Sequence, residues 1–203
     1  MKLLITGFAP FGGEKTNPSW EAVQRLPDSI DGSTILKEVL PVSFAHAGAA
    51  IIDLITTKKP DIVIAVGQAG GRSGITVERI AINVNDAELA DNDGLVLTDT
   101  PCLKNGTAAY FSTLPVKEII AAIRAEGIPA FISNSAGTYV CNHVMYHALH
   151  HCAVHSLPIK AGFIHVPYIP EQVVEKNGVA SMSLEKIIDA LRQTIAVCIR
   201  NEG

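Results

Sequence analysis

Cys141, His165 and Glu78 are a thiol, an imidazole and a carboxylate standing where core strands or a helix start should be apolar. Cys141 lies in the stretch AFISNSAGTYVCNHVMYHALHH, residues 130–151. This stretch opens with the short apolar run Ala130-Phe131-Ile132, the pattern of a buried strand. It breaks at Ser133-Asn134-Ser135-Ala136-Gly137 and resumes with Val140, Val144, Met145, Ala148 and Leu149 at helical spacing. Cys141 is therefore expected in the first turn of a helix that follows a strand. Unpaired N–H groups at a helix start favour a thiolate, and they can hold the oxyanion that forms when a carbonyl is attacked. That is the chemistry of acyl transfer.

Glu78 interrupts Ile75-Thr76-Val77 and Ile80-Ala81-Ile82, and His165 interrupts Gly162-Phe163-Ile164 and Val166. A buried carboxylate is costly without a partner, and so is a buried charged imidazole. A Glu–His–Cys constellation relieves both costs. The carboxylate accepts from one ring nitrogen, and the other nitrogen faces the sulfur. Each residue also has a plainer reading. Cys141 can be a small apolar filler. Glu78 can pair with Arg79 or Arg72 at a strand edge, and His165 can be a hydrogen-bonded core histidine.

The surrounding pattern supplies the elements that would hold these groups. Lys2 to Thr6, Thr34 to Val42, Asp61 to Val66, Ile75 to Val84 and Lys160 to Val166 read as strands. DIVIAV at 61–66 is apolar enough for a central strand covered on both faces. Asn17 and Pro18 start a helix that ends near Pro27, and Ser43 caps a helix running to about Lys58. Val116 to Glu126 and Leu184 to Arg200, the latter capped by Ser183, are further helices. Residues 85–105 form a long excursion, which in a compact fold is functional or an oligomer contact. Strands alternating with helices predict an α/β sandwich with helices on both faces.

The chain has 203 residues, which suits one domain spanning 1–203. Hydrophobic residues make up 48% and charged residues 18%, enough for a large core and too apolar for disorder. The net charge of −4 and the lack of a Lys/Arg block argue against nucleic acid as a partner. No apolar run is long enough to span a membrane. MKLLITGFAPFGG reads as a first strand and its loop rather than a cleaved leader. Cys102, Cys141, Cys152 and Cys198 are widely spaced with no CxxC pair, so reduced thiols in the cytoplasm are expected.

The segments GQAGGRSGITVERIAINVND, SNSAGTYVCN and GFIHVPYIP resemble three signature segments of the pyroglutamyl peptidase I family of cysteine peptidases. TGFAPFGG followed by NPSWEAV resembles the N-terminus of that family, so the likeness runs from residue 3 to about residue 170. The resemblance implies a three-layer α/β/α sandwich with a mixed, mainly parallel central sheet, like that of nucleoside phosphorylases. It also implies a Glu78, Cys141, His165 triad that removes an N-terminal pyroglutamyl residue from peptides through a thioester, with no metal or cofactor. Phe8 and Phe11 match substrate-lining phenylalanines of the family, and Gln68 is expected to contribute a backbone or side-chain contact. Ala9 departs from the pattern, since an acidic residue is usual there. The family further implies a cytoplasmic homotetramer.

His143, His147, His150, His151 and His155 cluster on and after the expected Cys141 helix. His143 and His147 have zinc-pair spacing but no HExxH context, so a polar helix face or a subunit contact is expected. GQAGGRSG lacks the GxxxxGK[ST] pattern of a phosphate loop. A phosphorylase-like transferase and a non-catalytic pyroglutamate-binding module are the alternatives to a peptidase.

Overall fold

The computed structural model describes residues 1–201. Its strands are β1 (Lys2–Phe8), β2 (Ser29–Ile30), β3 (Ser33–Leu40), β4 (Ile62–Gln68), β5 (Ile75–Glu78), β6 (Ile80–Ile82), β7 (Ala109–Phe111), β8 (Ala130–Ser133) and β9 (Lys160–Val166). Its α-helices are α1 (Pro18–Val23), α2 (Ala47–Lys58), α3 (Val116–Ala125), α4 (Val140–Val154) and α5 (Leu184–Arg200). Seven strands form one sheet in the order β2-β3-β1-β4-β9-β5-β8, and β6 and β7 form a separate ribbon. The pairs β1–β3, β1–β4, β4–β9 and β5–β8 are parallel; β2–β3 and β5–β9 are antiparallel. The sheet is thus mixed and mainly parallel, as expected.

Successive side chains of a strand point to opposite faces. Ile62, Ile64 and Val66 join Leu3 and Ile5 in a core with residues of α1, α3 and α5. Val63 and Ala65 join Leu4 and Phe163 in a second core with α2 and α4. All seven residues of β4 are buried, as a strand covered on both faces requires.

The local chemistry of the helix ends follows the sequence. Asn17 Oδ1 accepts from the Ser19 backbone N–H at 3.1 Å, and Pro18 opens α1. Ser183 caps α5. Ser43 acts one turn earlier than expected: its hydroxyl accepts from His46 N–H at 3.2 Å, and α2 begins at Ala47.

Two expectations are corrected. Residues 75–84 are not one strand: β5 lies in the main sheet and β6 in the ribbon. The chain turns at Arg79, whose N–H donates to Ser133 O and whose carbonyl accepts from Ser112 N–H, both at 2.8 Å. Alternation reads the side-chain period of a strand but not which partner it takes. The second correction concerns α4, which is buried nearly all round rather than along one stripe.

His143 and His147 accordingly lie in the core rather than on a polar face, at 6% and 7% exposure. Their rings stack at 4.1 Å between centroids. His147 Nδ1 donates to the His143 carbonyl at 2.8 Å, and His143 Nδ1 donates to Asn85 Oδ1 at 3.0 Å. Burial, together with His147, pushes His143 down to about 3 from an ordinary 6.5. Burial lowers His147 as well.

In the pH range between the two values, the unfolded chain binds a proton at His143 that the native protein does not. Stability therefore rises with pH there, is fully present above about 6.5, and drains away as pH falls toward 3. Urea midpoints should fall steadily from about pH 7 to about pH 4. A flat profile over that range would rule out a neutral buried pair.

Candidate active site

The site is built where β4, β9 and β5 run side by side beneath the start of α4. Gly67 of β4 is in register with His165 of β9, and Thr76 of β5 is the antiparallel partner of His165. Because β5 runs against β9, its last residue, Glu78, pairs with Phe163, two positions back from His165. The carboxylate is fully buried, and the imidazole is 4% exposed. His165 Nδ1 donates to Glu78 Oε1 at 2.8 Å. Arg72 donates to the same oxygen at 2.6 Å and also to the Thr76 hydroxyl.

The two readings of Glu78 are thus both realised, since the arginine pair and the histidine pair coexist on one oxygen. Burial raises the Glu78 carboxyl. Hydrogen bonds and charge from His165, with Ser133 and Arg72, outweigh that and hold it below the usual range. Burial lowers His165 although Glu78 favours its charged form. The resting ring is therefore neutral, with its proton on Nδ1 and Nε2 left as an acceptor.

Cys141 is the second residue of α4. The chain reaches it from β8 through a turn in which Gly137 N–H donates to Ser135 Oγ at 3.1 Å, and Gly137 adopts φ +80°. No side chain caps the start of α4 among the described residues, so its first N–H groups lack a side-chain partner there. Asn142, fully buried beside Cys141, fixes the helix start to β6. Its Oδ1 accepts from Ile82 N–H at 2.9 Å, and its Nδ2 donates to Ile82 O at 2.9 Å and Val84 O at 3.0 Å.

Burial and the Glu78 charge push the Cys141 thiol up to about 12, against the pull of Arg72 and of its own backbone N–H. Cys141 is nonetheless only half-buried and opens on the cavity, and the N–H groups of a helix start favour the thiolate.

Cys141 and His165 line one cavity of about 330 Å³, together with Phe8, Phe11 and Gln68. All three substrate-site residues expected from the sequence are therefore brought to the thiol and imidazole, with Glu78 behind the ring. Phe163 packs on His165 at 4.8 Å between centroids and on Phe8 at 6.2 Å. Phe11 lies against Tyr139, which Phe44 meets edge-on at 5.4 Å. Ala9, where the family pattern breaks, makes only backbone bonds here: its N–H donates to Leu40 O, and its carbonyl accepts from Asn17 Nδ2, both at 3.0 Å.

Sequence reasoning missed Asn17, Val42, Tyr139 and the strap 86–89, all of which also line the cavity. The strap is fastened to the turn before Cys141. Thr138 Oγ1 donates to Asp86 O at 2.6 Å, and Tyr139 OH donates to Ala90 O at 3.1 Å. Only the residues 85–105 being a long excursion pointed to it.

A model of the pyroglutamyl peptidase family matches residues 1–201. The chain belongs to the pyroglutamyl peptidase family. It is 52% identical over 200 residues to a pyrrolidone-carboxylate peptidase of Thermococcus onnurineus, covering 98% of this chain and 100% of that one. It is 50% identical over 199 residues to one from Levilactobacillus brevis, covering 98% of each. Among solved structures it resembles a mutant pyrrolidone carboxyl peptidase from Pyrococcus furiosus, with TM-score 0.97, 46% identity and full coverage of both chains. Pyroglutamyl peptidase I of Bacillus amyloliquefaciens superposes with TM-score 0.94 at 45% identity, covering 97% of this chain and 94% of that one.

The sulfur of this family member lies where only a glycine leaves room. A Cβ on Gly67 would stand 2.8 Å from Cys141 Sγ and 2.8 Å from the Phe163 ring. Gly67→Ala should therefore displace the thiol and the ring that supports His165. We expect a loss of about 1–3 kcal/mol in stability and a fall of at least ~10-fold in turnover, since small misplacements at a nucleophile are costly. Wild-type turnover in a folded Gly67→Ala protein would show that the close approach is irrelevant to the chemistry.

Proposed function

We propose that the chain is a cysteine exopeptidase that removes an N-terminal pyroglutamyl residue from peptides. The observation that carries this reading is the Glu78–His165 pair, 2.8 Å apart and opening onto the cavity that Cys141 lines, in a member of the pyroglutamyl peptidase family. Phe8 and Phe11 supply apolar walls for a small uncharged lactam, and Gln68 supplies a polar contact to it. Glu78 holds the imidazole in one tautomer, so Nε2 takes the proton of the Cys141 thiol as sulfur attacks the pyroglutamyl carbonyl. The Cys141 N–H at the α4 start stabilises the oxyanion. As the intermediate collapses, the C–N bond breaks, Nε2 returns the proton to the departing amine, and a thioester remains. Water then attacks, giving its proton to Nε2, and the sulfur leaves and is reprotonated.

The alternatives are disfavoured. The matched relatives carry peptidase names, which does not support a phosphorylase-like transferase. A non-catalytic binding module has no use for a buried carboxylate behind the imidazole. No disulfide joins the cysteines among the described residues, which is compatible with a reducing, cytoplasmic setting. No helix among the described residues is long and apolar enough to cross a membrane. We read residues 1–203 as one catalytic domain. The exposed Leu89, Leu95 and Val96 on the 85–105 excursion support a homotetramer, which light scattering can test.

Wild-type protein should release fluorophore from pyroglutamyl-aminomethylcoumarin, lose that activity to iodoacetamide, and keep it in EDTA. Cys141→Ser should lower turnover by at least ~10³-fold; turnover at the wild-type rate would sink the mechanism. The neutral His165 is the working base and is held below its ordinary value by burial, so the acid limb of kcat/KM should fall below pH 6.5. An acid limb centred above about pH 7 would contradict that.

A further inference from the structure

Gln68, at the end of β4, is 7% exposed and lines the cavity beside Cys141 and His165. An amide can present either its oxygen or its NH₂ to a ligand, and the two ends have nearly the same shape. The surroundings of Gln172 settle which end Gln68 presents. Gln172 follows β9 in a short 3₁₀ turn, Pro170–Gln172, and is itself buried. Its Oε1 accepts from the Ile169 backbone N–H at 3.2 Å, and an N–H can only donate. Its Nε2 faces a carboxylate oxygen of Glu14 at 3.2 Å, which can only accept; the Thr16 carbonyl, also an acceptor, lies farther off at 3.4 Å and shares one of the two amide hydrogens. The orientation of Gln172 is therefore fixed from both ends. The same Nε2 stands 3.0 Å from Gln68, where only an acceptor fits, so Gln68 Oε1 turns toward Gln172. Glu14 is held in turn by Lys176 at 2.5 Å, and that contact lowers its pKa, so it stays charged.

We infer that Gln172 is a positioning residue that makes Gln68 a pure donor in the pocket. The Gln68 NH₂ makes no hydrogen bond within the protein among the described residues, and it is the end left for the ligand. The inference rests on the peptidase reading above and deepens it. A donor there selects an acyl group that carries a carbonyl acceptor on its ring, as a lactam does. A saturated ring of the same size, as in a prolyl group, leaves that donor unpaired in a buried site. Lys176, Glu14 and Gln172 thus carry the polarity of the protein surface inward to the specificity contact without touching substrate.

Gln172→Glu puts an acceptor-only group opposite Gln68 and beside Glu14. The Gln68 amide should turn over and aim its oxygen at the lactam oxygen. KM for pyroglutamyl-aminomethylcoumarin should rise about 10- to 100-fold while kcat changes by less than about threefold. The preference for the pyroglutamyl over the prolyl substrate, as a ratio of kcat/KM, should shrink by a similar factor. The rate at which iodoacetamide alkylates Cys141 should stay as in wild type. A general loosening of the fold would instead move the alkylation rate and kcat together. Gln172→Met, which removes the constraint without adding charge, should give a smaller rise in KM, and restores a test if the glutamate variant does not fold. Wild-type KM and preference in both folded variants would overturn the inference while leaving the peptidase reading intact. A wild-type protein with no pyroglutamyl hydrolysis would instead remove that reading.

Discussion

A carboxylate with no exposed surface stands at the centre of this molecule, and the rest of the structure is arranged so that it can remain ionised there. Glu78 lies at the end of β5, paired with Phe163 of the neighbouring strand. Taking such a group out of water costs several kcal/mol unless charged or polar donors replace the solvent. Arg72 and His165 provide them on a single oxygen, at 2.6 and 2.8 Å. The same contact sets the tautomer of the imidazole, so the demand of burial and the demand of catalysis are met by one hydrogen bond.

Strand direction explains the depth of that group. In a wholly parallel sheet the strands all end at one edge, where ligands collect and water is close. Here β5 and β8 run against β9, so the carboxylate is carried under the ring rather than out to the rim. Cys141 then comes to the imidazole from a different element, at the head of α4, and Gly67 of β4 leaves space for the sulfur. Three elements each contribute one group: Cys141 and His165 line the cavity, and Glu78 lies behind the ring.

Much of this was readable from residue types. The caps at Asn17 and Ser183, the buried strand within 62–66 and the helix start before Cys141 follow from local rules, and the structure has them. Glu78 and His165 stood out because a charged or polar group amid apolar neighbours needs a partner. What sequence could not supply depends on which elements meet. The break at Arg79 reflects a change of sheet, which alternation does not record. His143 and His147 look like a polar face until α2 is packed over them. The thiol sits at a helix start as expected, but the burial and the Glu78 charge that oppose its ionisation come from β5 and the packed site, which the local pattern does not record. Gln172 carries no local pattern at all, because its meaning comes from Glu14, more than 150 residues away in the chain.

The arginine behind Glu78 has a bearing on ionic strength. At rest the guanidinium and carboxylate cancel, and the thiol and imidazole are both neutral. In the mechanism proposed above, when the proton moves from sulfur to nitrogen the anion and cation so formed cancel too, and the same holds when the negative charge passes to an oxyanion. The cluster thus keeps zero net charge at every stage, and an uncharged lactam adds none. Dissolved ions act on net fields at the surface and little on compensated, buried groups. On that mechanism, turnover at saturating substrate depends little on the salinity of the surrounding solution.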